Sequence, residues 1–487
     1  MANIVIKDFQ SGIADSPHLG FADIRNVDIY SSPGVVRLNW KTTKQSGTNV
    51  TDLIKWFVTN PSNGDIYGLG DTGKVYKSTT AGASWSVVSG NTTTSAAGNG
   101  LAIWKDYLIV ARNVSIDVYG PLSGTPTWSN PFGTLQTSAF HPMLATQDDK
   151  LHIGNGRYMA SVQERASTTF DPGNSSTFLF NDKALDLPAN YQVKCLAELG
   201  TNLMIGTWQG STIYQRKVAD IFPWDKKTSS FTQPLKIGEN GINQMMTFGN
   251  LLYIIAGTNH NMYVSNGASV SPFKKLPSSV TSLDYASGTY MDPYPGAITS
   301  HKGRIFTGVS SGTQSSMIDG FGVWSVEPSD RRLVFENQIS TGTTNATNNI
   351  RIGALASVSN DSYLISWQDN TTYGIDVVGN SFYDSYAGYV VSPLIQVGSP
   401  MPNARIQITK QAFQLAKPLA TGQGIRLKYR RNLSDNWTTI GTYDYATNGA
   451  VISGRFEVPI NDAEFIQIRA ELTTSNTSPE LKYVILQ

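Results

Sequence analysis

Catalysis and metal binding draw on a short list of side chains, and in this 487-residue chain the five histidines and the single cysteine come first. His18, His141, His152, His260 and His301 are scattered, with no pair at the close spacing that metal ligands adopt. Each reads as a turn or surface residue. Cys195 sits in the apolar-alternating run from Val193 to Leu196 and reads as a buried, inert thiol; a lone cysteine excludes a disulfide within the chain. Asp148-Asp149 and Asp330-Arg331-Arg332 fall at turn positions and read as solvated charges. No Gly-rich phosphate loop precedes a helix, and no serine stands at a nucleophile elbow. The expectation is therefore a protein that is not an enzyme, with no catalytic residue, metal ligand or cofactor. The basic row Arg426, Lys428, Arg430 and Arg431 has the charge to touch phosphate. Its plainer reading is a solvent-facing strand whose basic side chains guard an edge.

The elements that would position any such group are strands. Hydrophobic residues make up 40% and charged residues 15%, with 44 Gly and 22 Tyr, a profile poor in helix formers and rich in turn and strand residues. One unit recurs: an apolar strand, a polar turn, a second apolar strand ending near Gly or Ala, another turn, and a third strand carrying Tyr, Val or Trp. The second strands centre on Ile66, Leu108, Leu151, Leu203, Leu252, Ile305 and Leu364. That drifting period of roughly 40 to 60 residues suits four-stranded propeller blades. A blade cannot bury its own apolar faces, and packing blades in a closed ring solves this while protecting their edges.

The expected fold is all-β: a β-propeller of about seven blades over residues 49–390, an N-terminal extended arm over 1–48, and a C-terminal β-sandwich module, Ig-like or jelly-roll, over 391–487. Six or eight blades, or two unrelated sandwiches, are the competing arrangements. The arm, extended from Asn26 to Trp40, is expected to add a strand to the last blade or to reach a neighbouring subunit.

Between the third and fourth strands of the first blade lies Ser78-Thr79-Thr80-Ala81-Gly82-Ala83-Ser84-Trp85. It resembles the Asp-box of sialidases and related propellers, S-x-D-x-G-x-T-W, with Thr80 in place of the Asp. In that family the box is a folded turn remote from catalysis, so Ser78, Thr80, Gly82, Ser84 and Trp85 imply architecture only. Sialidase chemistry needs three clustered arginines and a Tyr nucleophile for an oxocarbenium-like transition state. The early Arg-Ile-Pro of that family is absent, Arg351-Ile352-Gly353 comes late, and Arg405 and Arg426 lie in the appended module, so no triad is assigned. The insertion from Ser161 to Asn190, carrying Phe170, Phe178 and Phe180, exceeds what a hairpin needs and is the expected interface. Trp208 and the loop from Tyr285 to Tyr290 are further aromatic candidates for stacking or contact.

Lysine and arginine total 37 against 36 acidic residues, so no net field draws the whole chain to nucleic acid or an anionic membrane. The N-terminus MANIVIKDFQSG lacks the parts of a secretory signal, and no window nears the roughly 18 apolar residues of a spanning helix. Synthesis in the cytosol without membrane insertion is expected, and a large β protein of this kind suits a virion component released by lysis. The arm, the propeller and the terminal module, ending in the strands Phe465 to Leu472 and Leu481 to Leu486, together resemble the tail hub or nozzle proteins of short-tailed bacteriophages. The resemblance implies a structural virion protein forming a homo-oligomeric ring, often a hexamer, that continues the portal and adaptor channel for DNA exit and attaches other tail proteins. A glycan- or receptor-binding propeller of a tail fibre and a sialidase-like glycosidase are the alternatives.

Overall fold

The computed structural model describes residues 4–7, 9–13, 21–45, 47–48, 50–90, 96–136, 140–209, 219–257, 260–276, 293–310, 321–341, 350–397 and 406–487. Among these, helix is confined to a 3-10 turn at Phe9–Ser11 and the four residues Tyr445–Asn448. Everything else of regular structure is strand. The turns are the reason the chain folds back so often. Lys105-Asp106 and Lys302-Gly303 take positive φ at both positions (51° and 65°; 49° and 73°), the two-residue hairpin geometry whose twist matches that of the flanking strands.

The chain divides into two compact units. The larger comprises Lys44–Phe321 and Ile339–Val377, the smaller Met1–Thr43, Gly322–Gln338 and Val378–Gln487.

Successive antiparallel sheets build the larger unit. The first runs Ile54–Thr59, Ile66–Gly70, Val75–Ser78 and Ser84–Val87. The second runs Gly98–Trp104, Tyr107–Arg112, Ser115–Gly120 and Thr127–Ser129. The third is Met143–Ala145, Leu151–Asn155, Tyr158–Glu164 and Phe178–Asp186. The fourth is Tyr191–Leu199, Asn202–Gln209, Ala219–Trp224 and Leu235–Ile237. The fifth is Ile242–Phe248, Leu251–Ala256, Asn261–Ser265 and Val270–Lys274. Ile298–His301 and Arg304–Val309 begin a sixth, and Ile350–Ser357, Tyr363–Asp369 and Thr372–Phe382 form a seventh. Each first strand touches the first strand of the next sheet, and Ile350–Ser357 returns to Ile54–Thr59. The ring therefore closes on itself, and the fold is a β-propeller.

The core sits between sheets, as expected of blades that cannot cover their own faces. Leu69, Val75, Leu108 and Val110 fill the first seam, and Ile109, Ile116, Ile153 and Val162 the next. At the closing seam Ile54, Tyr76 and Trp85 meet Leu364 and Ile375.

The smaller unit is assembled from three stretches of chain because one short strand joins them. Asp23–Arg25 pairs in parallel with Leu333–Asn337 and antiparallel with Gly388–Val391. Phe465–Thr473, Gly424–Arg430 and Thr438–Asp444 continue that sheet. A second sheet runs Ile4–Ile6, Leu481–Leu486, Gln411–Leu415 and Ser453–Phe456, so the two chain ends pair, Ile4 opposite Leu486. Between the sheets Phe413, Tyr443 and Phe456 pack ring against ring, Phe413 at 5.2 Å and Phe456 at 5.0 Å from Tyr443. The arm segment Trp40–Lys44 pairs with Thr372–Phe382, and Trp40 stacks on Phe382 at 4.2 Å.

Candidate functional site

The Asp-box-like segment is a folded turn held by hydroxyls. Ser78 Oγ accepts from the Gly82 N–H at 2.9 Å, Thr80 Oγ1 accepts from the Ser84 N–H at 2.9 Å, and the Trp85 indole donates to the Gly82 carbonyl at 3.0 Å. Thr80 thus does with a hydroxyl what an Asp would do with a carboxylate. Gly82 has φ +90°, and a Cβ there would stand 2.4 Å from Leu364 Cδ2 of the seventh sheet. The turn exists to press Trp85, 3% exposed, into the closing seam.

Where the first strands converge, the pairing skips one residue in four sheets. The skips fall between Ile54 and Trp56, Gly98 and Gly100, Val193 and Cys195, and Ile242 and Gln244. The extra residues are Lys55, Asn99, Lys194 and Asn243, all buried. A bulge re-aims a side chain off the regular alternation. Lys194 Nζ donates to Asn243 Oδ1 at 2.9 Å and lies 4.6 Å from the Trp208 ring centre and 5.6 Å from that of Phe140. Lys55 Nζ, paired with Asp71 at 2.7 Å, approaches the same Phe140 ring to 5.8 Å. Lysines from the first and fourth sheets therefore share one ring ahead of the third. This cluster can bind and orient; it holds no nucleophile beside a base. Sequence periodicity missed these lysines because a bulge breaks the period, and the available signal was a polar residue recurring inside an apolar first strand.

Several sequence expectations need correction. Phe170 and Phe178 are 3% and 5% exposed and pack with Trp104, Tyr107 and Phe132, with Phe180 half-buried against the same cluster. The insertion folds back onto the seam between the second and third sheets because its rings gain more there than in water. They are not an exposed interface. Nor are the described histidines surface residues, although His260 does stand at a turn: His141, His152 and His260 are fully buried and His301 nearly so. His141 lies 2.8 Å from the Gly154 carbonyl and 2.6 Å from that of Asn113. His260 Nε2 is 2.7 Å from Thr307 Oγ1, and His301 Nδ1 is 3.0 Å from Ser357 Oγ. Burial pushes His152 and His301 down to about 4 and His260 to about 3. Asp148 and Asp149 do stand at exposed turn positions as expected, with Asp148 paired to the buried Lys226 at 3.3 Å and Asp149 paired to Lys105. Asp330 likewise pairs with Arg332. His18, Arg405 and the loop from Tyr285 to Tyr290 lie outside the described residues. Cys195 is buried as expected, and burial raises its thiol to about 12.

The basic row is not an edge. Gly424–Arg430 has a partner strand on each side, so edge protection does not explain its charges. Arg426, Lys428 and Arg469 surround Glu471, which is fully buried, with Lys428 at 3.0 Å and Arg469 at 2.8 Å. Guanidinium groups lie over rings: Arg426 over Tyr386 at 4.2 Å, Arg430 over Trp437 at 4.6 Å and Arg469 over Tyr389 at 3.6 Å. Arg431 is exposed. Glu471, Arg469 and the rings were invisible to a reading along one strand, because they reach the row only through strand pairing.

Among the described residues no group of three His, Cys, Asp or Glu side chains is placed to hold a metal ion. No protein-family model and no curated protein matches the chain. Among solved structures, similarity extends to the Dos1 propeller, at 10% identity and TM-score 0.42, covering 71% of this chain and 96% of that one. The β-propeller domain of Myceliophteria thermophila Cps50 (Swd1) is similar at 10% identity and TM-score 0.46, covering 71% and 99%. YCF48 bound to D1 peptide is similar at 9% identity and TM-score 0.45, covering 74% and 99%. Likeness at this level bears on fold and not on activity.

Proposed function

We propose that this chain is a non-catalytic structural protein of a short-tailed bacteriophage virion, a homo-oligomeric ring of the tail hub or nozzle type that forms part of the DNA exit channel and attaches neighbouring tail proteins. The observation that supports this reading best is the construction of the smaller unit. Stretches distant in sequence, among them an excursion at 322–338, are woven into paired strands, Ile4 opposite Leu486 and Arg25 opposite Phe335. Joining stretches far apart in sequence through paired strands ties the unit together, which serves a part that bears load by contact. Closed cyclic assembly from one repeated surface is the common route to such a ring. Partners on this reading are copies of the chain, the portal or adaptor, and other tail proteins, with DNA passing transiently. Among the described residues no helix is long and apolar enough to cross a membrane.

Electron microscopy of the purified protein and of particles, with native mass spectrometry, tests the proposal. A closed ring with a central channel is expected. A protein that stays monomeric at tens of micromolar and is missing from particles would overturn it, as would turnover of a sialoside lost on changing one carboxylate.

A further inference from the structure

We propose that the charged face of the larger sheet in the smaller unit docks an extended acidic segment of a protein partner, with carboxylates at alternate residues. The proposal stands whether or not the chain forms a ring.

The face carries Arg25, Arg426, Lys428, Arg430 and Arg469 against Asp23, Glu471 and, opposite Gly424 on the neighbouring strand, Asp444, while on the turn that follows Asp435 lies near Arg430 and Arg431 adds a further positive charge. Glu471 is fully buried under its three cations, whose side chains remain 20–29% exposed. The excess positive charge therefore faces outward while its one central counter-charge is hidden. Such a surface suits an anionic partner.

These arginines are already ordered. Arg426 and Arg469 face Glu471 through Nε, and Arg430 Nε donates to Gln467 Oε1 at 2.7 Å. Their guanidinium carbons lie over the rings of Tyr386, Tyr389 and Trp437. The terminal nitrogens of Arg426 and Arg469 have no hydrogen-bond partner among the described residues, so forks aimed at carboxylates are in place before binding. Preorganisation of this kind removes much of the ordering cost of association.

Spacing identifies the occupant. Arg426, Lys428 and Arg430 occupy alternate positions of one strand, roughly 6.8 Å apart, and Lys428 stands opposite Arg469 on the next strand. Alternate side chains of an extended segment have the same repeat. Single-stranded nucleic acid fits less well, because its sequence-tolerant binding uses bare aromatic faces for base stacking. Here the three rings already carry guanidinium groups.

Fluorescence anisotropy on the full chain tests this with three labelled probes: a 12-residue peptide alternating Glu and Ser, a peptide of the same composition with its Glu in one block, and a 12-nucleotide thymidine oligomer. The alternating peptide should bind most tightly, about ten-fold or more above the block peptide, and weaken with added salt. Arg430→Gln should cost about ten-fold, Arg426→Gln at least as much, and Lys482→Gln on the other sheet should cost nothing measurable. Circular dichroism confirms folding of each variant, and Arg430→Lys, which keeps charge but not the fork, should fall between. Equal binding of the block peptide, tighter binding of the oligonucleotide, or indifference to Arg430→Gln would each overturn the proposal.

Discussion

Replacing Glu471 by Gln keeps the shape of the side chain and removes the one charge on which three cations converge. Lys428 at 3.0 Å and Arg469 at 2.8 Å each gain several kcal/mol of gross attraction at an effective dielectric near 20, and Arg426 adds a third contact. Most of that gain is offset by taking the carboxylate out of water. Breaking such a cluster by deleting one partner nevertheless costs about 3–5 kcal/mol, because the remaining charges are left facing one another. The cations here keep 20–29% exposure, so water screens part of the repulsion and about 3 kcal/mol is expected. Amide hydrogen exchange reads the local effect. Strands Gly424–Arg430 and Phe465–Thr473 should exchange roughly a hundred-fold faster, with the propeller sheets unchanged. Sodium chloride should restore part of the loss in the variant by screening the cations, and should not do so in the parent protein. Exchange within about three-fold of the parent in both strands would refute the claim that Glu471 holds this face together.

Three further outcomes follow from the same geometry. Trp85→Ala should empty the closing seam and cost the propeller roughly 3–5 kcal/mol in urea unfolding, whereas a loss below about 1 kcal/mol would mean that the Asp-box-like turn does not seal the ring. Burial holds His152 and His301 at about 4 and His260 at about 3, so the unfolded chain takes up protons that the folded chain refuses. Stability should be complete above about pH 6.5 and fall as pH drops, by up to ~1.4 kcal/mol per pH unit for each histidine until its folded value is reached; a urea midpoint unchanged from pH 7.5 to pH 5 would contradict this. Cys195, with its thiol raised to about 12, should resist iodoacetamide at pH 8 in the native protein and react at once in urea, so labelling of the folded chain would show the thiol to be exposed.

The propeller was legible because its signal is repetition. Each of the seven second-strand centres, from Ile66 to Leu364, falls inside an observed strand, since a fully buried strand between two turns leaves a run of apolar residues that no neighbour can disguise. Phe170 misled for a related reason: a long insertion rich in rings looks the same in sequence whether it projects or folds back, and only the seam it covers decides. Histidine patterns failed similarly. His152 lies in a strand buried at every position, where its polarity counts for less than its place in the sheet. Glu471 and Arg426 could be seen one at a time, but their meeting depends on a register between strands 45 residues apart in sequence, which no local pattern encodes.

Polar residues that interrupt the apolar repeat have a common task, visible at the seams between sheets. Apolar contact is non-directional and tolerates sliding, so hydrophobic packing alone would let neighbouring blades shift in register. Every seam of the propeller carries at least one directional bond. Arg112 Nε donates to the Gly73 carbonyl at 2.7 Å between the second and first sheets, and His141 lies 2.6 Å from the Asn113 carbonyl between the third and second. The Val193 N–H reaches the Gly156 carbonyl at 2.8 Å, Lys194 reaches Asn243 at 2.9 Å and His260 lies 2.7 Å from Thr307. The Ile352 N–H donates to Ser310 Oγ at 2.9 Å, and at the closure the Ile54 N–H donates to Ser366 Oγ at 3.0 Å. Because an unmade buried bond costs about 1–3 kcal/mol, a slip at one seam would strand a donor or acceptor there, and a closed ring passes that penalty to its neighbours. The buried lysines, histidines and serines at these seams are thus what fixes the angle between blades.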